Sequence, residues 1–453
     1  MRTLLLAALT AGLLGPPLAA QDAIPDGLLG RWAGAATEAG TPLLFDLEFS
    51  ASPDGALATQ LTLPYNGYDA FPFAFAYTPG GPYDGTLTAG LFGDEMRLVV
   101  DLAEGHLRGT VVEGDSVTAR VHLQRVVDAP RAAITEVAVT FRVGPDTLAG
   151  ALFVPEGEGP HPGAVLVAGR GENTRYDMIG WAKLLARAGV AALVWDARGA
   201  GRSTGDAATV TAESRAAEVH AALDLLRADA AVGPVGLVGY SAAGWIVPDV
   251  AADRDDVAFA VVLAGPTGSL ADQQAQVTVA FMRASGDPFT EAEFSAASAY
   301  QRATVDLAQA GAPWAAFEAI NGPARAARWA EHALIPDSLD APDLVYFRQR
   351  AGFDAPAWGR VRAPVLAVYA GADLLVPPED NVPALRAALA GHPDATVLVI
   401  PEIDHSLARP AGFVGEGAWP DRFYRPWTRS PAVLNGLVDW LRTRFVLADP
   451  PPR

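Results

Sequence analysis

Ser241 stands in the run Val235-Gly236-Leu237-Val238-Gly239-Tyr240-Ser241-Ala242-Ala243-Gly244, an apolar stretch that ends on a serine among very small residues. A serine hydroxyl is a poor nucleophile near neutral pH unless a base within hydrogen-bond reach takes its proton. A strand that turns sharply into a helix at such a serine exposes the hydroxyl, and the turn tolerates almost no side chain two residues before or after it. Gly239 meets that demand fully, and Ala243 meets it with one extra methyl. The backbone N–H of Ala242, at the start of the helix, would then face a developing oxyanion. The chemistry implied is acyl transfer through a covalent serine intermediate.

Two further residues complete that chemistry. Asp373 lies in Tyr369-Ala370-Gly371-Ala372-Asp373-Leu374-Leu375-Val376-Pro377, and His405 in Ile400-Pro401-Glu402-Ile403-Asp404-His405-Ser406. Imidazole titrates near the working pH, so His405 can accept the serine proton and return it to the leaving group. A buried Asp373 would fix the imidazole tautomer and stabilise the imidazolium. Of the seven histidines, only His405 falls in a loop directly after a predicted sheet strand. His106 and His122 fall in the N-terminal β-region, His220 and His332 on predicted helices, and His161 and His392 ahead of strands. Adjacent side chains point apart, so Asp404 and Glu402 are read as solvated or structural.

A second oxyanion donor should come from Ala168-Gly169-Arg170-Gly171-Glu172-Asn173-Thr174-Arg175, whose glycines let backbone approach a substrate oxygen; the N–H of Arg170 is the candidate. Arg175 is expected to pair with a neighbouring acid rather than bind a substrate carboxylate. Asp196 and Arg198 are read as architectural. No histidines pair at metal-ligand spacing, and Gly169-Arg170-Gly171 is no nucleotide fingerprint. Neither a metal nor a cofactor is expected.

The elements that must position these residues change character along the chain. Short alternating strands at Leu43–Phe49, Ala56–Leu63, Gly85–Leu91, Met96–Leu102, Leu107–Val112 and Ser116–Arg125, separated by turn residues, predict an antiparallel sandwich or barrel over 27–127. Val126–Pro130 reads as a linker. From Ile134 an entry hairpin (Ile134–Phe141, Thr147–Val154) leads into strands alternating with helices. The strands are Gly163–Val167, Val190–Trp195, Val235–Val238, Val257–Leu263, Val365–Tyr369 and Thr396–Ile400. The helices are Tyr176–Ala188, Thr211–Arg227, Ala242–Ala252, one ending near Leu389, and one capped by Ser430. Apolar strands between amphipathic helices imply a mostly parallel sheet covered on both faces. Pro248 predicts a kink in the helix after Ser241. Residues 269–361 contain no convincing strand and are read as a helical cap, with helical patches at Glu291–Ala308 and Pro323–Ala333. Phe281, Tyr300, Trp314, Phe317, Trp329, Tyr346 and Phe347 are its candidate substrate wall. In such a sheet ligands bind at the carboxyl ends of the strands, where Ser241, Asp373 and His405 all fall.

Half of the 453 residues are hydrophobic and 19% are charged, which describes a packed chain with more than one core. A net charge of −19 argues against nucleic-acid binding. The absence of cysteine rules out disulfides and thiolate catalysis. Residues 1–20 combine Met1-Arg2, a short apolar stretch and small residues before Gln21, the form of an export signal. The apolar stretch is shorter than the about 20 residues a membrane span needs. A periplasmic or secreted bacterial product without a stable membrane anchor is expected.

The chain resembles the α/β-hydrolase superfamily, and within it secreted bacterial serine aminopeptidase-like and acyl-hydrolase-like esterases. The residues that carry the resemblance are Asp196-x-Arg198-Gly199-x-Gly201-x-Ser203-Thr204-Gly205-Asp206, Gly239-Tyr240-Ser241 with Gly244, Val261-Val262-Leu263-Ala264-Gly265-Pro266, Asp373-x-x-Val376-Pro377 and His405, across residues 133–446. The resemblance implies an α/β-hydrolase fold with a helical cap behind a lipocalin-like β-domain. It also implies a Ser241–His405–Asp373 triad acting on a small ester or a short peptide. The chain departs from the family pattern at Ala168, where a histidine is usual, and at Ala243, where glycine is common. Two other readings stand beside esterase and peptidase. One is a binding protein on a retired hydrolase scaffold. The other is a β-domain that holds a lipid or glycan among Trp32, Tyr65, Tyr68, Phe71, Phe73 and Phe75.

Overall fold

The computed structural model describes residues 24–38, 41–52, 55–63, 68–81, 83–91, 94–126, 134–170, 174–350, 352–401, 403–409 and 428–445. The expected export signal, most of the linker, Tyr65, Glu172 and Glu402 lie outside the described residues, as do the side chains of Tyr68 and Phe71. The chain divides into two compact units, residues 1–131 with 410–429, and residues 132–409 with 430–453.

The first unit is a nine-stranded antiparallel sheet. Its strands are β1 (Gly30–Glu38), β2 (Thr41–Ala51), β3 (Leu57–Leu63), β4 (Tyr68–Phe73), β5 (Ala76–Pro79), β6 (Gly85–Leu91), β7 (Asp94–Asp101), β8 (His106–Glu113) and β9 (Ser116–Arg125). The order β4-β3-β2-β1-β9-β8-β7-β6-β5 pairs the first strand with the last. The sheet therefore ends at β4 and β5, which only Ala74 and Phe75 separate in sequence. Alternate side chains build one core around Trp32, Phe45, Leu47, Phe49, Leu87 and Leu98, with Trp32 opposite Leu47 and Leu87 opposite Leu98 in register.

Three of these strands escape the sequence pattern. Glycine and alanine dominate β1, and both are weak strand formers. The structure gives the reason at Gly34, where a Cβ would lie 2.0 Å from the His122 carbonyl oxygen of β9. β4 carries Pro72, which suits only an edge strand, and β4 is an edge. β5 has only four residues.

The second unit holds an eight-stranded sheet of β10 (Ile134–Val143), β11 (Asp146–Pro155), β12 (His161–Val167), β13 (Ala191–Trp195), β14 (Val232–Tyr240), β15 (Ala260–Leu263), β16 (Val365–Ala370) and β17 (Ala395–Ile400). Its order is β10-β11-β13-β12-β14-β15-β16-β17. β10 and β11 enter as an antiparallel hairpin, β11 pairs antiparallel with β13, and every later pairing is parallel. β12, β13 and β16 are buried at every position, as a sheet covered on both faces requires. Alternate strand residues feed two cores. Val165, Leu193, Leu237 and Val262 meet Val219 and Leu223 of the helix α2 (Ala212–Arg227). Leu166, Ala192, Val238 and Val261 meet Trp181 and Leu185 of α1 (Ile179–Arg187) and Leu437 and Leu441 of α9 (Pro431–Arg442).

Local chemistry sets the helix limits, with three corrections to the sequence reading. The helix after Ser241 is not continuous and kinked. It is a 3₁₀ turn, Ser241–Trp245, followed by α3 (Val247–Asp253). Pro248 sits in the first turn of α3, where its missing N–H costs nothing. The patch expected at Pro323–Ala333 is instead the end of α6 (Trp314–Arg325) followed by a separate 3₁₀ turn, Ala330–His332. Ser430 does occupy the N-cap of α9, but its side chain makes no capping hydrogen bond.

The insertion between β15 and β16 is helical: α4 (Leu270–Ala284), α5 (Glu291–Gln309), α6 and α7 (Pro342–Gln349), while α8 (Pro378–Ala388) links β16 to β17. Most of its candidate wall rings are buried in packed cores. Tyr300 and Trp329 share a cluster with Met282, Ala297 and Ala324, and Phe317 and Phe347 are fully buried. Phe353 stacks on Trp245 at 5.5 Å, which seats the cap against the turn that bears Ser241. Among the described residues no helix is long and apolar enough to cross a membrane.

Candidate active site

Four parallel strands deliver the site. β12, β14, β16 and β17 end at the same edge of the sheet, so the loops after them converge. Ser241 follows β14 with φ 53°, a left-handed conformation unusual for a residue with a Cβ. Such strain marks a turn that its surroundings dictate. Those surroundings leave no spare room. A Cβ on Gly239 would lie 2.7 Å from Val247 Cγ2 and 2.9 Å from Ala243 Cβ. A Cβ on Gly244 would lie 2.8 Å from Pro266 Cδ, in the loop after β15.

The three residues selected from sequence meet. His405 Nε2 is 2.8 Å from Ser241 Oγ, and His405 Nδ1 is 2.8 Å from Asp373 Oδ2. The other oxygen of Asp373 accepts the N–H groups of Leu375 and Val376, each at 2.8 Å. Asp373 is thus buried with its lone pairs used, which holds it in one orientation. Burial disfavours the charged His405 ring, but the adjacent Asp373 carboxylate, its hydrogen bond and the Asp404 charge win, and the pKa is raised. Asp404, next to His405 in the chain, is half-buried. Burial pushes its carboxyl up to about 6, while Ser406 donates to it from N–H and hydroxyl.

Several residues support the site in ways the sequence did not signal. Tyr240 donates its hydroxyl to the His405 carbonyl at 2.7 Å, and its ring lies 5.5 Å from the imidazole. Thr267 Oγ1 is 2.9 Å from the Tyr369 hydroxyl, and Thr267 N–H donates to Asn381 Oδ1 at 2.8 Å. Burial raises Tyr369 to about 12, so its hydroxyl stays protonated. The Tyr-Ser pairing of the elbow is visible in sequence, but that its phenol ties down a loop 165 residues later is not.

The glycine-rich loop after β12 abuts the nucleophile. A Cβ on Gly169 would lie 2.9 Å from Ser241 Cβ and 2.7 Å from the Tyr240 carbonyl oxygen. The same Cβ would lie 3.4 Å from Ala242 N, so Gly169, the residue before Arg170, lies against the elbow. The Arg170 side chain turns to Asp343 of α7 at 2.7 Å. Arg175 binds Asp196 through two guanidinium nitrogens at 3.0 and 2.7 Å, the ion pair expected of it. Asp196 also accepts the N–H of Arg202 at 2.9 Å, and Arg198 pairs with Asp146 at 3.1 Å, so this loop is architectural. A small cavity of about 10 Å³ opens beside the elbow, lined by Gly169, Thr211, Arg215, Ala242, Arg350 and Phe353 among others. Among the described residues, Asp287, Glu331 and His332 bring ligand-type atoms within 4.8 Å of one another, but two of the three are exposed cap residues.

Residues 160–409 match the family model described as serine aminopeptidase, S33. No curated protein matches the chain in sequence. Solved structures with a similar course include the 2,6-dihydroxy-pseudo-oxynicotine hydrolase, at 15% identity and TM-score 0.41 over 71% of each chain. They include Est1E from Butyrivibrio proteoclasticus bound to ferulic acid, at 18% identity and TM-score 0.40 over 68% of this chain and 99% of that one. Proline iminopeptidase from Mycobacterium smegmatis is similar at 15% identity and TM-score 0.41, over 68% of this chain and 98% of that one. The family match spans more than half of the sequence, and the chain belongs to the serine aminopeptidase (S33) family of α/β hydrolases.

Proposed function

We propose that the protein is a serine esterase whose acyl-enzyme forms on Ser241. The observation that carries the reading is the relay of two 2.8 Å contacts, Ser241 Oγ to His405 Nε2 and His405 Nδ1 to Asp373. Ser241 Oγ attacks the ester carbonyl while its proton passes to His405 Nε2. The carbonyl oxygen becomes an anion, received by the N–H groups of Ala242 and Arg170. Collapse breaks the bond to the alcohol oxygen, which takes the proton from His405. Water then enters, loses a proton to His405 and attacks the acyl carbon, and release of the acid regenerates the Ser241 hydroxyl. Asp373 keeps the proton on Nδ1 throughout, so that Nε2 stays available as the base.

Peptide cleavage by the same residues is the second reading, favoured by the description of the family. The cavity beside Ala242 argues for the ester. It is lined by Arg215 and Arg350, and the free ammonium of a peptide substrate would meet like charge there.

A fluorophosphonate should label the folded protein at Ser241 and leave Ser241→Ala unlabelled. No labelling of folded wild type would end the serine-hydrolase reading. A panel of p-nitrophenyl esters against aminoacyl anilides separates esterase from peptidase. We also infer export from residues 1–20. N-terminal sequencing of the mature protein should begin at Gln21, and a retained Met1 would overturn that inference.

A further inference from the structure

Two cations line the cavity beside Ala242, Arg215 and Arg350, with Arg170 near Arg350 across the Tyr346 ring, and they are not equally served. Arg215 pairs with Glu218 at 3.2 Å, and Arg170 pairs with Asp343 at 2.7 Å. Arg350, at the carboxyl end of α7, has no carboxylate within ion-pair distance among the described residues. Its Nε is buried without a hydrogen-bond partner. What holds it is Tyr346, whose ring centroid lies 3.7 Å from the guanidinium carbon and whose side chain also hydrogen-bonds it. The Arg170 guanidinium lies 4.1 Å from the same centroid. Burial, together with the charges of Arg215 and Arg170, holds the Arg350 pKa below its ordinary value. A guanidinium stays protonated even so. A cation left partly desolvated beside two others, with no carboxylate partner among the described residues, is costly, and an entering anion would relieve that cost. The planar fork of arginine fits a carboxylate through two parallel hydrogen bonds.

We propose that this cavity is an anion subsite, and that the ester substrate carries a carboxylate which Arg350 receives while Ser241 attacks the ester carbonyl. The inference rests on the esterase reading and deepens it. Arg350 is a specificity residue under this proposal and takes no part in bond making. It comes from the cap, whereas Ser241, Asp373 and His405 come from strand ends, so charge selection and chemistry sit on different parts of the fold.

The test compares p-nitrophenyl hexanoate with the mono-p-nitrophenyl ester of adipate, which differ in a terminal carboxylate on the acyl side. A second pair, the acetates of methyl 4-hydroxybenzoate and of 4-hydroxybenzoate, puts the carboxylate on the alcohol side. In at least one pair, wild type should favour the anionic ester in kcat/KM. In Arg350→Met that ratio should fall by about tenfold or more, the loss of a charge-assisted hydrogen bond, and mostly through KM. Arg350→Lys should keep part of it. Adipate itself should bind wild type in calorimetry and bind Arg350→Met about tenfold more weakly. Equal ratios in wild type and Arg350→Met for both pairs, with unchanged adipate affinity, would overturn the proposal. If no ester is cleaved and Ser241 is not labelled, the esterase reading has failed. Adipate binding that depends on Arg350 would then still support the subsite, and binding indifferent to Arg350 would sink it.

Discussion

The two sheets of this molecule bury side chains by opposite rules. In the first unit β9 exposes most of its residues and buries Val121 and Leu123 alternately. In the second, β12 and β16 bury every residue. An antiparallel meander turns back at each strand end, so successive loops leave from opposite edges and no single edge collects them. Parallel strands must all finish at one edge and return through helices. In the second sheet, therefore, the loops after β12, β14, β16 and β17 meet, and with them Gly169, Ser241, Asp373 and His405. Among the described residues of the first sheet, His122 Nε2 lies 2.9 Å from His106 Nδ1, an exposed and a half-buried ring on neighbouring strands. Burial alone makes a scaffold, whereas burial with parallel topology also makes a convergence point.

That contrast is open to attack at either sheet, most forcefully at the nucleophile. Ser241→Ala should lower kcat by on the order of 10⁶-fold and leave the melting temperature almost unchanged. A variant that kept one-tenth of wild-type turnover would remove the convergence point as the seat of chemistry. Asp373→Asn should cost about 10⁴-fold in kcat by presenting the wrong imidazole tautomer, with circular dichroism unchanged. Trp32→Ala probes the other side of the comparison. It empties the centre of the first sheet and should destabilise that unit by about 3–5 kcal/mol, seen as a lowered first transition in urea. Fluorophosphonate labelling of Ser241 should persist there, and its loss with that transition would break the division of labour. Tyr240→Phe removes the hydroxyl that holds the His405 carbonyl and should cost about 1 kcal/mol, several-fold in kcat/KM.

The smallest expected effect is a shift in pH. His405 must be neutral to act as a base, and its folded pKa is raised. The ascending limb of kcat/KM should therefore have its midpoint above 6.5, the ordinary histidine value. The Asp404 charge contributes to that elevation, so Asp404→Asn should move the limb to lower pH. A limb that stayed in place would assign the elevation to Asp373 alone.

Periodicity made most of this architecture legible. The alternating runs from Gly85 to Arg125 and the apolar runs from Val165 to Val368 carry their burial in their composition. β1, β4 and β5 were not legible, because their alanines, glycines and proline answer to partners across the sheet. Gly34 is the clearest case, chosen by the His122 carbonyl above it. The cap aromatics misled for a related reason. A ring count states how much apolar surface must be covered but not what covers it, and here Tyr300 and Trp329 cover one another at 5.5 Å.

Ser241, Asp373 and His405 could be selected from the chain alone, since each is a reactive residue placed just after a strand and strand ends share an edge in a parallel sheet. What selection could not supply is register. The 2.8 Å contacts depend on β15 separating β14 from β16, on the two N–H groups that turn Asp373, and on Tyr240 reaching the His405 carbonyl. The state of Arg350 was equally hidden. In sequence it is one more arginine near the end of a helix, and whether a guanidinium finds a carboxylate is decided by which acids the folded chain brings within about 4 Å. Local patterning determines which residues are buried and which turns are sharp, because those depend on near neighbours. Pairing between distant side chains depends on packing to a fraction of an ångström, and only the tertiary structure decides it.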